Sequence, residues 1–308
     1  MILIISAESD GITNDICAHL SQLNKDFFRI NESQRITDIF FDFNRKQFEF
    51  TINNDRKYNL DEISSVFYRN GTIFYKDLTI EIDAAIKNFY DSELNSVTDF
   101  IYHYLSINCI QVYGNLINKK VNKLEVLQLA QTLGFKIPQT FVFSNKESLQ
   151  CNVSVKDKLI TKSISEMSPL FYENELYLNY TREISFDEIL GKTHEIIPSL
   201  IQDRIHVEYE LRIFFFEKKI WTIAIFDFGN NVDVRNVRSK KYIPYEVPNH
   251  IQEKILTLIS KLELKTGTID LLKSGSEYYF LEINPLGQFQ DLNYWGNYNI
   301  DQYIAELL

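Results

Sequence analysis

The sequence predicts a mixed α/β (α+β) protein arranged as three consecutive parts, and three observations carry that prediction. The chain opens strand, helix, strand: Ile2 to Ser6 is a short apolar strand run, Asp10 to Leu23 has helical character, and Phe27 to Ile30 returns to strand. It closes on an amphipathic helix followed by two strands that turn around Ser274-Gly275. Hydrophobic residues fill 45% of the 308 positions, with 23 Phe and 18 Tyr but few Gly and Pro, so an ordered chain with a sizeable core is expected.

Each element follows from its local pattern. The turn after the first strand, Ala7-Glu8-Ser9-Asp10-Gly11, carries one Gly where a dinucleotide-binding turn carries three in GxGxxG spacing, which argues against a nicotinamide site. Asp38 to Asn53 alternates and suggests a hairpin, Ser65 to Tyr68 is another strand, and a helical region spans about Ile80 to Leu105. Tyr113-Gly114-Asn115 breaks the pattern, and the end of a first domain of residues 1–117 is placed near it. Leu124, Leu127, Leu129 and Leu133 then recur near helical spacing, with Gly134 as the stop signal. This helix opens a second unit, 118–201, in which Leu159 to Thr161 and Glu175 to Tyr180 are expected to share one small sheet and Leu200 to Gln202 leads out of it. In the third unit, 202–308, Leu211 to Phe216 and Ile220 to Phe226 flank the polar turn Glu217-Lys218-Lys219 as a hairpin. Asn249 to Leu262 puts Ile251, Ile255, Leu258, Ile259 and Leu262 on one helix face, and Gly267 to Leu272 and Glu277 to Asn284 are the closing strands.

A net charge of -10 argues against broad nucleic-acid or anionic-membrane binding, since both need an excess of Lys and Arg. Cys17, Cys109 and Cys151 are single and widely spaced, so neither a metal knuckle nor a disulfide framework is expected, and a reducing cytoplasmic setting is. The opening residues lack a signal-peptide pattern and no apolar run has membrane-spanning length. His19, His103, His194, His206 and His250 show no metal-ligand spacing.

The most informative segment is GTIDLL followed by YYFLEINPLGQF. Strand alternation puts Glu282 and Asn284 on one face, and antiparallel pairing with the preceding strand would bring Asp270 to them. Two carboxylates and an amide are oxygen ligands of the kind a hard magnesium ion takes, the remainder coming from phosphate and water. A solvated strand face is the alternative for so short a motif, but Leu281 and Ile283 flank the polar pair and Pro285 ends the strand abruptly.

Asp270 with Glu282-Ile283-Asn284-Pro285 resembles the metal-binding signature of ATP-grasp ligases. The likeness extends upstream: LIQDRIHVEYELRIFFFEKKIWTIAIF is similar to that family's hinge and hairpin, VDVRNV to its Arg-bearing strand, and VNKLEVLQLAQTLGFKIPQTFV to the opening of its central domain. It covers roughly Asn118 to Leu308. Within the family, VFYRNG, TKSISE and NPLGQFQDLNYWGNYNID resemble the graspetide peptide maturases of the grasp-with-spasm type. The implied fold is ATP-grasp, with an N-terminal pre-ATP-grasp domain, a small central domain and a C-terminal antiparallel-sheet domain.

The resemblance implies ATP and Mg2+ as cofactors, with Asp270, Glu282 and Asn284 holding the metal. Lys162 becomes a phosphate-binding lysine, a role suited to a mobile ammonium. Lys123 is a second one, with Lys119 and Lys120 as rivals and a solvated helix-start lysine as the alternative. Gln202, Asp203, Arg204 and Ile205 would supply backbone groups to the adenine. Glu210 would hold the ribose, with Glu208 as its rival. Arg212 and Arg235 would face the phosphates and the activated acyl group, where fork-shaped donors match paired oxygens, a salt-bridged strand residue being the alternative for Arg212. Arg69 is a candidate for holding an acidic side chain of the substrate, or else a structural strand-end Arg. One departure is that Ser163-Ile164-Ser165-Glu166 follows Lys162 where many relatives have a glycine-rich loop.

The implied reaction phosphorylates a Glu or Asp side chain of a ribosomal precursor peptide, leader plus core, and a hydroxyl or amine then displaces phosphate to close a ring. Neither nucleic acid nor membrane is an expected partner, and a homodimer is a family expectation. Two rivals stand beside this reading: a ligase that adds amino acids to a C-terminus or makes a small peptide, and a non-catalytic peptide binder on the same scaffold.

Overall fold

The computed structural model describes residues 1–80, 82–114, 116, 121–153, 158–165, 170–172, 175–177, 181–191, 197–227 and 240–308. The N-terminal part contains β1 (Ile2–Ser6), α1 (Gly11–Gln22), β2 (Phe27–Ile30), β3 (Arg35–Asp42), β4 (Gln47–Ile52), β5 (Arg56–Asn59), β6 (Ser65–Arg69), β7 (Phe74–Tyr75), α2 (Ala84–Asn108) and β8 (Gln111–Tyr113). A parallel sheet of order β2-β1-β6-β8 lies beside a second sheet of order β5-β4-β3-β7. Helix α1 starts where Asp10 caps it by accepting from the Thr13 N–H, and it buries Ile12, Ile16 and Leu20, four residues apart.

Every residue of β1 is buried because its two faces enter different cores: Ile2 and Ile4 join one with α1, while Leu3 and Ile5 join another with Ile101, Tyr102 and Leu105 of α2. Helix α2 begins at Ala84 rather than near Ile80, because Asp83 caps it through the Ala85 N–H.

The middle of the chain forms α3 (Lys123–Thr132), β9 (Thr140–Phe143), α4 (Lys146–Asn152), β10 (Leu159–Lys162), β11 (Leu170–Tyr172), β12 (Glu175–Tyr177), β13 (Arg182–Ile184), α5 (Phe186–Gly191) and β14 (Ser199–Asp203). The sheet of order β13-β10-β14-β9 corrects two expectations. Strand β12 pairs with β11 in a separate two-stranded sheet rather than joining β10. The 200–202 segment does not lead out of the sheet but lies inside it, hydrogen-bonded to both β10 and β9.

The last part contains β15 (Tyr209–Phe216), β16 (Lys219–Asp227), β17 (Lys240–Pro244), α6 (Asn249–Lys261), β18 (Thr266–Ser274), β19 (Glu277–Asn284), α7 (Gln290–Gly296) and α8 (Ile300–Leu307). Its five strands form one antiparallel sheet of order β17-β16-β15-β18-β19. Leu211, Ile213, Phe215, Ile269, Leu271 and Phe280 face α3 and α6, while Phe214, Phe216, Ile223 and Ile225 face α1, α7 and α8. Burial on both faces explains why β15 reads as an unbroken apolar run at its C-terminal half. Each fully buried Phe there contributes about 1.5 to 3 kcal/mol.

Two consequences bear on the expected divisions. Helix α3 packs its Val126, Leu127 and Ala130 on the large sheet rather than on the smaller one that follows it in sequence. The division at 201/202 falls inside β14, which runs to Asp203. Among the described residues no helix is long and apolar enough to cross a membrane.

Candidate active site

Antiparallel register builds the site. Arg212 of β15 stands opposite Asp270 of β18, and Asp270 stands opposite Glu282 of β19, so the three side chains form a row across one face of the large sheet. Asn284 lies two residues beyond Glu282, opposite Thr268. The row depends on a bulge. The register shifts between Asp270 and Leu271, which leaves Leu281 as an extra residue in β19. Phe280 and Ile283 thereby point into the core against α3 and α6, while Leu281 and Glu282 both line the cleft above the opposite face. Strict alternation from Phe280 would have buried Glu282.

Arg212 forks onto Asp270, with Nε donating to Oδ1 at 3.1 Å and Nη2 to Oδ2 at 3.3 Å. The Asp270 carboxylate raises the guanidinium's proton affinity further, outweighing burial. Two lysines converge on the next carboxylate in the row. Lys123 Nζ, from the first turn of α3, is 3.7 Å from Glu282 Oε2, and Lys162 Nζ, from the end of β10, is 4.0 Å from the same atom. The Lys162 side chain is 13% exposed, and burial pulls its ammonium pKa below the ordinary value despite Glu282 nearby.

The cleft runs between this row and the smaller sheet, and Lys162, Gln202, Asp203, Arg204, Ile205, Glu210, Arg212, Asp270 and Glu282 all line it. In its wall Gln202 is fully buried; its Nε2 donates to Thr140 Oγ1 at 2.8 Å, whereas its Oε1 has no hydrogen-bond partner. A buried acceptor without a donor is costly, and Gln202 is among the residues that line the cleft. Ile160, Leu272 and Leu281 add apolar wall. The sequence reading singled out none of these three for the site. The consecutive apolar residues Phe280 and Leu281, which break alternation, were the one local signal for the bulge.

Other expectations fare differently. The N–H groups of Asp203 and Arg204 donate to the carbonyls of Gln139 and Lys158, so these two N–H groups are committed within the fold. The Arg204 side chain pairs with Glu183. Of the two rivals for the ribose, Glu208 accepts from the Gly275 N–H at 2.8 Å and so braces a turn, while Glu210 shares the face of Arg212. Asn284 is exposed and sits beyond the residues that line the cleft. Of its two expected roles, Arg69 makes the contacts of a structural strand-end arginine: it is 8% exposed, lies outside the cleft, and donates to Asp10 and to the Gly287 carbonyl. Arg235, Lys119 and Lys120 lie outside the described residues. Among the described residues no three His, Cys, Asp or Glu gather as a metal site, so the candidate set remains two carboxylates and one amide.

No protein-family model matches the sequence, and no curated protein matches it. Solved structures do match over the whole chain. It is 24% identical to the macrocyclase MdnC of Microcystis aeruginosa MRC, solved with its precursor peptide MdnA, with a TM-score of 0.77 over 100% of this chain and 98% of that one. It is 23% identical to a RiPP-associated ATP-grasp ligase of Chryseobacterium gregarium, solved with ADP and a leader and core peptide, with a TM-score of 0.78 over 100% and 96%. D-alanine–D-alanine ligase of Bacillus anthracis is more distant, 13% identical with a TM-score of 0.53 over 96% and 90%. The order of sheets, the full-length superposition and the carboxylate row on the last hairpin converge on one conclusion: this chain has the ATP-grasp fold.

Proposed function

We propose that the chain is an ATP- and magnesium-dependent ligase that activates Glu or Asp side chains of a ribosomal precursor peptide as acyl phosphates and joins them to Thr or Ser hydroxyls or Lys amines. The observation that carries this reading is the single row Arg212, Asp270, Glu282 with Lys123 and Lys162 converging on it, along a cleft that Gln202 also lines. Similarity to a macrocyclase solved with its precursor peptide, closer than to D-alanine–D-alanine ligase, favours a peptide substrate over a free amino acid. A pure binder would have no use for the row.

The residues fit the nucleotide. The exocyclic amine of adenine is a donor of the kind Gln202 Oε1 lacks, the apolar walls suit the ring, and Lys162 and Arg212 in the same cleft supply cations for the phosphates. Asp270 and Glu282, with the amide oxygen of Asn284, fit magnesium, which takes few protein oxygens and completes its shell with phosphate and water. Bound there, magnesium would neutralise phosphate charge.

Lys162 and Lys123 hold phosphate oxygens and screen them from Glu282. A peptide carboxylate oxygen attacks the γ-phosphorus and ADP departs; the hydroxyl or amine then attacks the acyl carbon and phosphate departs, so that each link formed removes one water from the peptide. Arg212, fixed by Asp270, presents a planar donor beside the developing charge, and catalysis is chiefly positioning and electrostatics. The three free thiols and the demand for ATP suit a cytoplasmic setting.

The nucleotide assignment has a test of unusual sign. Gln202→Leu removes an unpaired buried acceptor along with the bond to Thr140, so stability should change by no more than about 1 kcal/mol. Affinity for ADP should nevertheless fall about tenfold, the worth of one hydrogen bond. Calorimetric titration with ADP, paired with thermal melts, measures both; unchanged ADP affinity would remove Gln202 from the nucleotide site.

A further inference from the structure

Arg69 is the last residue of β6, on the N-terminal part of the chain, and its guanidinium reaches across to the turn that follows β19. Nε donates to Asp10 Oδ2 at 3.0 Å, Nη1 donates to the Gly287 carbonyl at 3.0 Å, and the guanidinium carbon lies 5.9 Å from the centre of the Phe289 ring. Asp10 is itself fixed, because the same oxygen caps α1 through the Thr13 N–H at 3.2 Å. One planar group therefore joins a helix cap to a turn that lies 218 residues beyond Arg69 in the chain.

That turn orients Asn284. The Gly287 N–H donates to the Asn284 carbonyl at 3.1 Å, and the Leu286 N–H donates to Asn284 Oδ1 at 2.9 Å. The second bond selects the oxygen rather than the amine of the amide for the turn side, and leaves that oxygen a second lone pair. Gly287 is held tightly: a Cβ there would lie 2.5 Å from Thr268 N and closer still to the Thr268 side chain, so only glycine lets the turn press against the residue paired with Asn284.

We propose that Arg69 is a positioning residue: by holding the Gly287 carbonyl against the capped α1, it sets the orientation of the Asn284 amide and so the geometry of the cation site. This rests on the reading of Asp270, Glu282 and Asn284 as magnesium ligands. An apolar side chain could fill the same space without the desolvation cost of a buried cation; what the guanidinium adds is two fixed directions at once. Lysine keeps the charge and loses that fork.

The test uses Mn2+ as the metal probe, titrated into the full chain with saturating ADP, with free ion followed by electron paramagnetic resonance. Arg69→Lys should weaken Mn2+ binding about tenfold while metal-free ADP binding is unchanged, and Arg69→Met should do the same. Asn284→Ala should also weaken Mn2+ binding, and adding Arg69→Lys to it should cost nothing more, because the two act through one amide. Wild-type Mn2+ affinity in both Arg69 variants, with Asn284→Ala still weakened, overturns the positioning role and spares the metal site. An Asn284→Ala variant with wild-type Mn2+ affinity overturns the metal reading and this inference with it. Parallel losses of Mn2+ affinity, metal-free ADP affinity and melting temperature would make Arg69 a fold-holding residue only.

Discussion

Glu282→Gln is expected to reduce turnover on the order of 100-fold or more, the scale of losing one preorganised charge at a reacting centre. The side chain stands opposite Asp270, with the ammonium groups of Lys123 and Lys162 3.7 and 4.0 Å from Oε2. Glutamine keeps the shape, so no cavity opens, and the cleft-facing position allows water to solvate the new amide. Two effects follow from the lost charge: a cation loses one of its carboxylates, and the two lysines lose the anion between them. The melting temperature should therefore drop slightly while the fold persists, and the magnesium concentration for half-maximal turnover should rise. ADP release measured across a magnesium series decides the matter; a wild-type rate at limiting magnesium would take Glu282 out of the site.

Lys162→Met should separate stability from activity in the opposite direction. Burial lowers the Lys162 pKa, Glu282 opposes that shift, and Lys123 adds to it. A lysine whose folded pKa lies below its unfolded value binds fewer protons when folded, so its contribution to stability becomes more favourable as pH rises from the depressed folded pKa towards the unfolded value of roughly 10.4. Methionine has a similar length and no charge to desolvate. The variant should thus melt at or above the wild-type temperature near neutral pH and lose that part of the upward slope with pH, while turnover falls by about 10² or more if this ammonium holds phosphate as proposed. Thermal melts from about pH 7 to 10, beside ADP-release assays, test both halves. A lower melting temperature at neutral pH would mean that the ion pair with Glu282 outweighs the burial cost.

Local pattern revealed as much as local interactions control. Strands β1, β2 and β19 coincide with the segments read from sequence, because apolar runs and alternation report burial directly. Strand β9, Thr140–Phe143, was not singled out as a strand: four residues have little periodicity, and the pairing that makes them a strand is with Ser199 to Gln202, about sixty residues on. The pairing of Asp270 with Glu282 is legible because the two sit on one hairpin whose register a short turn fixes, whereas the place of Arg212 opposite Asp270 is set by the longer-range pairing of β15 with β18. The bulge at Leu281 that aims Glu282 is not legible, since it depends on which residues the core accepts. Arg69 shows the limit most plainly. Its sequence neighbours suggested a substrate contact, but its partners, Asp10 and Gly287, are set by how the first and last parts of the chain pack.

The central claim is the joining of peptide side chains through acyl phosphates. Its most direct test incubates the chain with ATP, magnesium and a candidate precursor peptide, short and rich in Thr or Ser and Glu or Asp, and reads the peptide's intact mass together with the nucleotide products. The expected result is loss of one water for each link, with one ADP and one phosphate released per water lost. An unchanged peptide mass, or AMP in place of ADP, would contradict it.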